Sequence, residues 1–216
     1  MSDFLPLFPL PDTVLFPSIF LPLHVFEPRY CQMVVDALAG DRLIGVVLLQ
    51  PGRRGEDEGC PPVFPVGCCG VITHVERLSG GRFNIVLRGT ERFRIVDEDQ
   101  RRTYRRAVVE LLPETGGDGP GRLAIRSLRA KLEALVGLSL ERLQPADASA
   151  ADLGIPASMA DAELVNALAQ HLDLEPLEKQ ALLEEHNPFT RAGSLVELLE
   201  MKSLIARNNW ALGTMH

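Results

Sequence analysis

Residues 69–89 read CGVITHVERLSGGRFNIVLRG, and the other predicted elements are best understood outward from this segment. Two apolar-rich segments flank Ser79-Gly80-Gly81-Arg82, and adjacent glycines in such a position are a strong signal for a turn. After the turn the side chains alternate with the period of two that a strand requires, with Phe83, Ile85 and Leu87 on one side and Asn84, Val86 and Arg88 on the other. The stretch therefore predicts a β-hairpin.

Further strands are predicted on both sides of this hairpin. Residues 43–49 form a nearly continuous apolar run, which is typical of a strand buried on both faces. Beyond residue 89 the alternation resumes, and a last strand follows before residue 112. The opening residues 5–10 also predict a strand, which its prolines should confine to an edge of the sheet or to the start of a strand.

One helix is predicted between the strands. Pro28 suits the first helical position, and Gly40 supplies a stop at the other end. Between them, apolar residues recur at the i, i+3, i+4 and i+7 spacing of a buried helix face, namely Cys31, Val34, Val35 and Leu38.

From about residue 121 onward the chain is rich in Leu, Ala and Glu, and four helices are predicted. The first lies around residues 123–136. The buried stripe predicted for the second consists of Leu164, Val165, Leu168 and Leu172. Pro176 opens the third helix, and Asn187-Pro188 opens the fourth. Four helices joined by short loops indicate a bundle.

These patterns predict an α+β fold in three parts. Residues 1–112 form a small mixed or antiparallel β-barrel with one inserted helix. Residues 113–121 contain four Gly and two Pro, so we predict a linker there. Residues 122–216 form a C-terminal helical bundle.

Composition and charge disfavour several classes of function. The formal net charge of -7 disfavours binding to nucleic acids and to anionic membrane surfaces, since both require a basic protein surface. No uninterrupted apolar run is long enough to span a bilayer. Asp3 and the prolines of the first 22 residues argue against a signal peptide. We therefore expect a cytoplasmic protein that binds neither nucleic acid nor membranes.

No metal or cofactor is expected. The four cysteines lack the spacing of zinc ligands, and we interpret them as reduced thiols that pack as small hydrophobic side chains. The alternative is a metal site formed by Cys60, Cys68, Cys69 and His74.

No catalytic motif is evident. The chain has no P-loop, dinucleotide-binding fingerprint, nucleophile elbow or HExxH motif. Ser127 and Lys131 lie four residues apart on a predicted helix, so a Ser–Lys peptidase pair is the rival hypothesis. A solvated polar helix face is the simpler interpretation.

An arginine-rich stretch offers an alternative function. Seven arginines lie between residues 88 and 106. We interpret them as a solvated sheet face whose arginine stems cover apolar surface. The alternative is a barrel that binds a small molecule or an anion through Arg88, Arg92 and Arg94.

The N-terminal residues carry a more specific signal. They read LPLFPL over residues 5–10, VLFP over residues 14–17 and LPLHVFEPRY over residues 21–30. Further on, GRFNIVLRG over residues 81–89 and RFRI over residues 92–95 follow in order. This ordered set resembles the N-terminal substrate-recognition domains of the Lon protease family, and the resemblance is strong over roughly the first half of the chain. Ser18 departs from the family pattern, which usually has glycine there.

The resemblance implies a PUA-like β-barrel followed by a helical subdomain. It also implies recognition of protein substrates, unfolded peptide segments or a protein partner, because that is the role of this domain in Lon. In Lon an ATPase and a peptidase follow this domain. Because neither is recognisable here, we expect a stand-alone, non-catalytic module.

We expect the partner to bind an apolar surface near the N-terminus. Phe16 and Phe20 flank Pro17 in a loop, and a partly exposed apolar loop would grip a peptide. The simpler interpretation places the phenylalanines of this region in the core, namely Phe8, Phe16, Phe20 and Phe26. For Phe16 and Phe20 the exposed loop is the alternative.

Three residues at the start of the predicted helix are further candidates for partner contact. They are Glu27, Arg29 and Tyr30. Structural roles explain them as well, since Glu27 suits the helix dipole and Tyr30 can pack against the core. Assembly into a homo-oligomer is left open.

Overall fold

A computed structural model describes residues 4–51, 61–99, 101–114 and 159–213 of the chain, with side chains up to residue 205. Cys60, the linker from residue 115 onward, the helix predicted around residues 123–136 and the Ser127–Lys131 pair lie outside the described residues.

The first part of the chain consists of strands and one helix. The elements are β1 (Leu5–Leu10), β2 (Phe20–Val25), α1 (Pro28–Ala39), β3 (Leu43–Leu48), β4 (Val66–Arg77), β5 (Phe83–Asp99) and β6 (Arg106–Leu112). A short 3-10 turn at Ser79–Gly81 joins β4 to β5. Gly80 and Gly81 have φ angles of 76° and 74°, which glycine adopts without strain. The predicted hairpin is confirmed.

The described strands form one mixed sheet with the order β2-β5-β4-β3-β1-β6. β1 runs parallel to β3, and the other pairs are antiparallel. Because the long strand β5 also pairs with β6, the sheet curls into a barrel-like ring. The ring is partial, since the register of β1 with β6 comprises only Leu5↔Ala107 and Pro6↔Arg106. The predicted α+β class with a mixed barrel is confirmed in this form.

β1 is not an edge strand, so the first of the two predicted alternatives is wrong. The Leu7 amide donates to the Arg105 carbonyl at 2.9 Å, so odd-numbered residues of β1 direct their amide groups toward β6. The nitrogen of Pro9 points toward β6, but the register of β1 with β6 does not extend to Pro9. The nitrogen of Pro6 points toward β3, but the pairing with β3 begins only at Leu7↔Gly45. Neither proline removes a bond from the ladder, so β1 can lie inside the sheet.

Helix α1 begins at Pro28 and ends before Gly40, as predicted. Its buried residues are Tyr30, Met33, Val34 and Ala37, whereas Val35 is exposed. Of the predicted stripe, Val34 is buried and Cys31 and Leu38 are half-buried, so the prediction is wrong at Val35. The observed buried residues and the predicted stripe both follow the i, i+3, i+4, i+7 spacing. The face with Tyr30 is the buried one because the Tyr30 ring packs on Phe8, with 4.6 Å between ring centroids.

Three described helices follow residue 159, α2 (Asp161–His171), α3 (Pro176–Glu184) and α4 (Pro188–Gly213). Leu164, Val165 and Leu168 are buried as predicted, whereas Leu172 of the same predicted stripe is half-buried. The start of α4 at Asn187-Pro188 is also confirmed, because the amides of residues 189 and 190 donate to Asn187 Oδ1 at 3.0 and 2.9 Å. In the described ranges, no helix combines the length and the apolar character needed to cross a lipid bilayer.

The chain divides into two compact units. The first contains the sheet, α1 and, from later in the chain, Ala169–Glu184, which includes α3. The second contains α2 up to Leu168 and the chain from Glu185 onward. Within the first unit, Gln180 Nε2 donates to the Val66 carbonyl at 3.0 Å, which ties α3 to β4. The division at residues 113–121 stays a prediction.

Candidate functional site

The candidate site lies on β2, the first strand in the sheet order, which pairs only with β5 among the described strands. Side chains on a strand point alternately to its two faces. Leu21 and Val25 are accordingly buried, whereas Phe20, Pro22 and His24 are exposed. Phe26 follows the strand and is also exposed. We call Phe20, Pro22, His24 and Phe26 the β2 outer face.

The β2 outer face carries an exposed aromatic ring at each end. Phe20 is 55% exposed and Phe26 is 62% exposed. They are six positions apart, which corresponds to about 20 Å along an extended chain. Full burial of a phenylalanine side chain contributes about 1.5–3 kcal/mol, so the two rings give this surface a substantial capacity to bind apolar groups.

A polar network positions the middle of the β2 outer face. His24 Nδ1 lies 2.8 Å from Asn84 Oδ1, and Asn84 Nδ2 donates to Glu76 Oε2 at 2.8 Å. These three residues are cross-strand neighbours on β2, β5 and β4. The His24 ring stacks on Phe26 with 6.0 Å between centroids. The network therefore holds His24, and through it the Phe26 ring, on one side of the sheet.

Arg88 gives the other end of this surface a positive charge. It is the cross-strand partner of Phe20, and its guanidinium carbon lies 6.0 Å from the centroid of the Phe20 ring. The contact is in the range of a cation–π interaction. One end of the β2 outer face thus combines an aromatic ring with an exposed guanidinium group.

Phe16 and Pro17 are buried, so the predicted exposed loop is wrong for these two residues. A Cβ atom at Gly89 would lie 2.1 Å from the Phe16 carbonyl oxygen, which shows how closely this segment packs against β5. The Ser18 amide donates to the Gly89 carbonyl at 2.9 Å, and the Phe16 amide donates to Gln170 Oε1 at 3.2 Å. Of the predicted loop residues, only Phe20 is exposed.

The three candidates at the start of α1 form a local cluster beside Phe26. Arg29 forms an exposed ion pair with Glu27 at 2.9 Å, and its guanidinium carbon lies 4.6 Å from the Tyr30 ring centroid. Tyr30 itself is buried against Phe8. Tyr30 therefore has a packing role, and partner contact by Glu27 and Arg29 stays a prediction.

Arg88, Arg92 and Arg94 do not present their guanidinium groups to one ligand in the described part of the chain. Arg92 is 3% exposed and donates from Nη1 to the Leu183 carbonyl at 3.0 Å. Arg88 and Arg94 are exposed. Other arginines of the stretch pair with carboxylates, Arg101 and Arg106 with Asp99, Arg102 with Asp36, and Arg105 with Glu98. The charge of these four arginines is therefore largely neutralised by neighbouring carboxylates.

The residues of the alternative metal site are not brought together. Cys68 and Cys69 are buried, whereas His74 is exposed. Burial raises the pKa of the Cys69 thiol to about 12, so this side chain is protonated at neutral pH. Among the residues that the structure describes, no group of three or more His, Cys, Asp or Glu side chains could hold a metal ion.

Sequence reasoning missed most of the β2 outer face. Phe26 was expected in the core, which is wrong, and neither Pro22 nor His24 was considered. A signal was present, because residues 20, 22, 24 and 26 follow a period of two and must share one face of a strand.

The model of the ATP-dependent protease La (LON) substrate-binding domain family matches residues 4–201. Lon protease 2 of Myxococcus xanthus is 28% identical over 204 residues, which cover 94% of this chain and 24% of the relative. The Lon protease of Syntrophus aciditrophicus (strain SB) is 31% identical over 198 residues, which cover 85% of this chain and 23% of the relative. The chain thus spans about a quarter of the length of these relatives.

Two solved structures share the fold. The N-terminal domain of the Mycobacterium avium complex Lon protease has a TM-score of 0.65 and 20% identity, over 91% of this chain and 98% of that one. The Lon N-terminal domain protein from Xanthomonas campestris has a TM-score of 0.58 and 25% identity, over 90% and 97%. Because the family model matches well over half of the sequence, this chain belongs to the LON substrate-binding domain family.

Proposed function

We propose that this chain is a non-catalytic recognition module that binds unfolded or extended polypeptide segments on the β2 outer face. The observation that carries the proposal is the pair of exposed phenylalanines, Phe20 at the start of β2 and Phe26 just after its end. Among the described strands, β2 pairs only with β5. Membership of a substrate-binding domain family supports a recognition role.

The chemistry of this surface selects for unfolded chains. A folded protein keeps most of its large apolar side chains inside, whereas an unfolded segment exposes them for contact with the two rings. Part of the free energy gained from burying the rings is lost in ordering the segment. We therefore expect dissociation constants in the range of about 1 μM to 1 mM, equivalent to roughly 4–8 kcal/mol.

The test compares one polypeptide in its unfolded and its folded state. Lysozyme that is reduced, blocked with iodoacetamide and fluorescently labelled should bind the protein in an anisotropy titration, and native lysozyme should not. The double variant Phe20→Ala/Phe26→Ala should weaken binding by about ten-fold or more, because it removes both rings.

Phe189→Ala is the matched control, since it removes a ring that is 38% exposed on α4. It should leave the affinity within about two-fold. Equal binding by the wild type and the double variant would refute the proposal.

The same mixture tests the rival peptidase hypothesis. Unfolded lysozyme should remain intact on a gel after prolonged incubation with the pure protein, and cleavage that Ser127→Ala abolishes would contradict a non-catalytic role. The cytoplasmic location and a homo-oligomeric state stay predictions.

A further inference from the structure

We propose that the polypeptide segment binds as an added β-strand along the edge of β2 that faces away from β5. This inference rests on the proposed function and specifies how the same surface holds its substrate. The occupant is an extended segment that forms hydrogen bonds to the backbone of Phe20, Pro22 and His24.

The hydrogen-bond pattern between β2 and β5 determines which backbone groups face outward. The Gly89 amide donates to the Ile19 carbonyl at 2.9 Å, one position before the pair Phe20↔Arg88. In an antiparallel ladder, hydrogen-bonded pairs alternate with pairs that are not hydrogen-bonded. The odd-numbered residues of β2 therefore bond to β5, and Phe20, Pro22 and His24 direct their backbone groups to the outer edge.

Pro22 fits this assignment, because a proline in a strand is tolerated where its nitrogen faces an edge. The outer edge then offers three carbonyl acceptors, from Phe20, Pro22 and His24, but only two amide donors. An incoming segment can still donate a hydrogen bond to the Pro22 carbonyl. It lacks only the one hydrogen bond that an amide at position 22 would have donated. Two copies of β2 paired symmetrically about Pro22 would lose both central bonds. The edge thus favours a different chain over a second copy of this one.

The side chains act together with this backbone pattern. A segment laid along β2 would place alternate side chains beside Phe20 and His24, with the Phe26 ring just beyond. Arg88 lies beside Phe20 and would attract an acidic side chain there. The expected substrate is an extended segment of about six residues with apolar side chains at alternate positions. Folded proteins rarely expose such a segment.

The outward amide can be removed and added by substitution. His24→Pro deletes the outward N–H, and His24→Ala is its reference because it removes the ring but keeps the N–H. Unfolded lysozyme should bind His24→Pro about five-fold more weakly than His24→Ala, which corresponds to the net contribution of one hydrogen bond. Pro22→Val supplies the missing donor at similar side-chain volume and should tighten binding by about five-fold.

Thermal melts establish that each variant is folded, and Pro22→Val carries the test if His24→Pro is not. NMR amide exchange provides a second readout. The Phe20 and His24 amides should exchange more slowly when unfolded lysozyme is bound, while those of Leu21 and Leu23 stay unchanged. Strand addition would be overturned if His24→Pro bound as tightly as His24→Ala, if Pro22→Val bound as tightly as the wild type, and if the exchange rates of the Phe20 and His24 amides did not change on binding. If Phe20→Ala/Phe26→Ala still weakened binding in that case, the proposed function would stand without this mode.

Discussion

Arg92 of β5 donates a hydrogen bond from Nη1 to the backbone carbonyl of Leu183, at 3.0 Å and 91 positions along the chain. The arginine is 3% exposed, and its Nε lies 3.7 Å from Glu114 Oε1. Together with the bond from Gln180 to Val66, this contact fixes α3 against the sheet. A charged side chain on the barrel thus connects segments that are distant in sequence within one compact unit.

Replacing this arginine should destabilise the first unit. Arg92→Met keeps an apolar stem but removes the charged donor from the Leu183 carbonyl, at a cost of about 2–3 kcal/mol. Arg94→Met is the control, because Arg94 is exposed on the same strand, and it should change the free energy of unfolding by less than about 0.5 kcal/mol. Urea unfolding curves measure both, and equal effects would show that the buried contact contributes nothing.

The hydrogen bond between Tyr104 and Asp36 makes stability depend on pH at both extremes. The Tyr104 hydroxyl donates to Asp36 Oδ2 at 2.6 Å, and this bond lowers the pKa of Asp36 below its usual 3.8. Burial, together with the same bond, raises the pKa of Tyr104 to about 12. The contribution of Asp36 is therefore lost as the pH falls below 3.8, and that of Tyr104 is lost as the pH rises from 10.0 toward about 12.

Tyr104→Phe tests this dependence. It should lower the free energy of unfolding at neutral pH by about 1–2 kcal/mol, because Asp36 loses a hydrogen-bond donor. It should also reduce the dependence of the free energy of unfolding on pH, both below pH 3.8 and between pH 10.0 and about 12. Urea unfolding across the pH range measures the slopes, and slopes identical to the wild type would contradict the assignment.

The sequence predicted the parts of the fold that depend on local pattern. The turn at Gly80 and Gly81, the helix start at Pro28 and the cap at Asn187 each follow from the chemistry of a few neighbouring residues. The run of short strands predicted the barrel, and the resemblance to Lon N-terminal domains implied the same fold. These features need no knowledge of distant contacts.

Errors arose where a distant contact decides between patterns that fit equally well. The inward face of α1 depends on the packing of Tyr30 against Phe8 from β1. The burial of Phe16 depends on its fit against Gly89, which no local pattern reports. Phe26 lies one residue beyond β2, at the position that continues the alternation of the strand, but hydrophobicity alone favoured the core for this ring.

Ser18 occupies a backbone conformation that suits glycine. This conformation explains why the family pattern usually has glycine at this position. Its φ angle is 68°, in the left-handed region, where a side chain costs about 1–2 kcal/mol. Ser18→Gly should therefore stabilise the protein by about 0.5–1 kcal/mol, after the greater entropy of glycine in the unfolded chain is subtracted. Ser203→Gly, inside α4, makes the same change in a helix and should destabilise. Thermal melts that rank the two variants in the opposite order would contradict this account.

Two glycines should respond to alanine in opposite ways. At Gly89 a Cβ atom would lie 2.1 Å from the Phe16 carbonyl oxygen, so Gly89→Ala should destabilise by about 1–3 kcal/mol through forced displacement of the backbone. At Gly193 in α4 a Cβ atom would meet nothing within 4 Å, so Gly193→Ala should stabilise by about 0.5–1 kcal/mol. Chemical unfolding of the two variants tests the contrast, which would fail if Gly89→Ala were neutral.

Photo-crosslinking can locate the β2 outer face as the binding surface, because it reports where an unfolded chain lies on the protein. Benzoylphenylalanine would replace Phe26 in one variant and Phe189 in another, and each would be irradiated with unfolded lysozyme. We expect a covalent adduct from position 26, competed away by unlabelled unfolded lysozyme, and little adduct from position 189. Equal adducts from both positions, or none from position 26, would contradict binding at the β2 outer face.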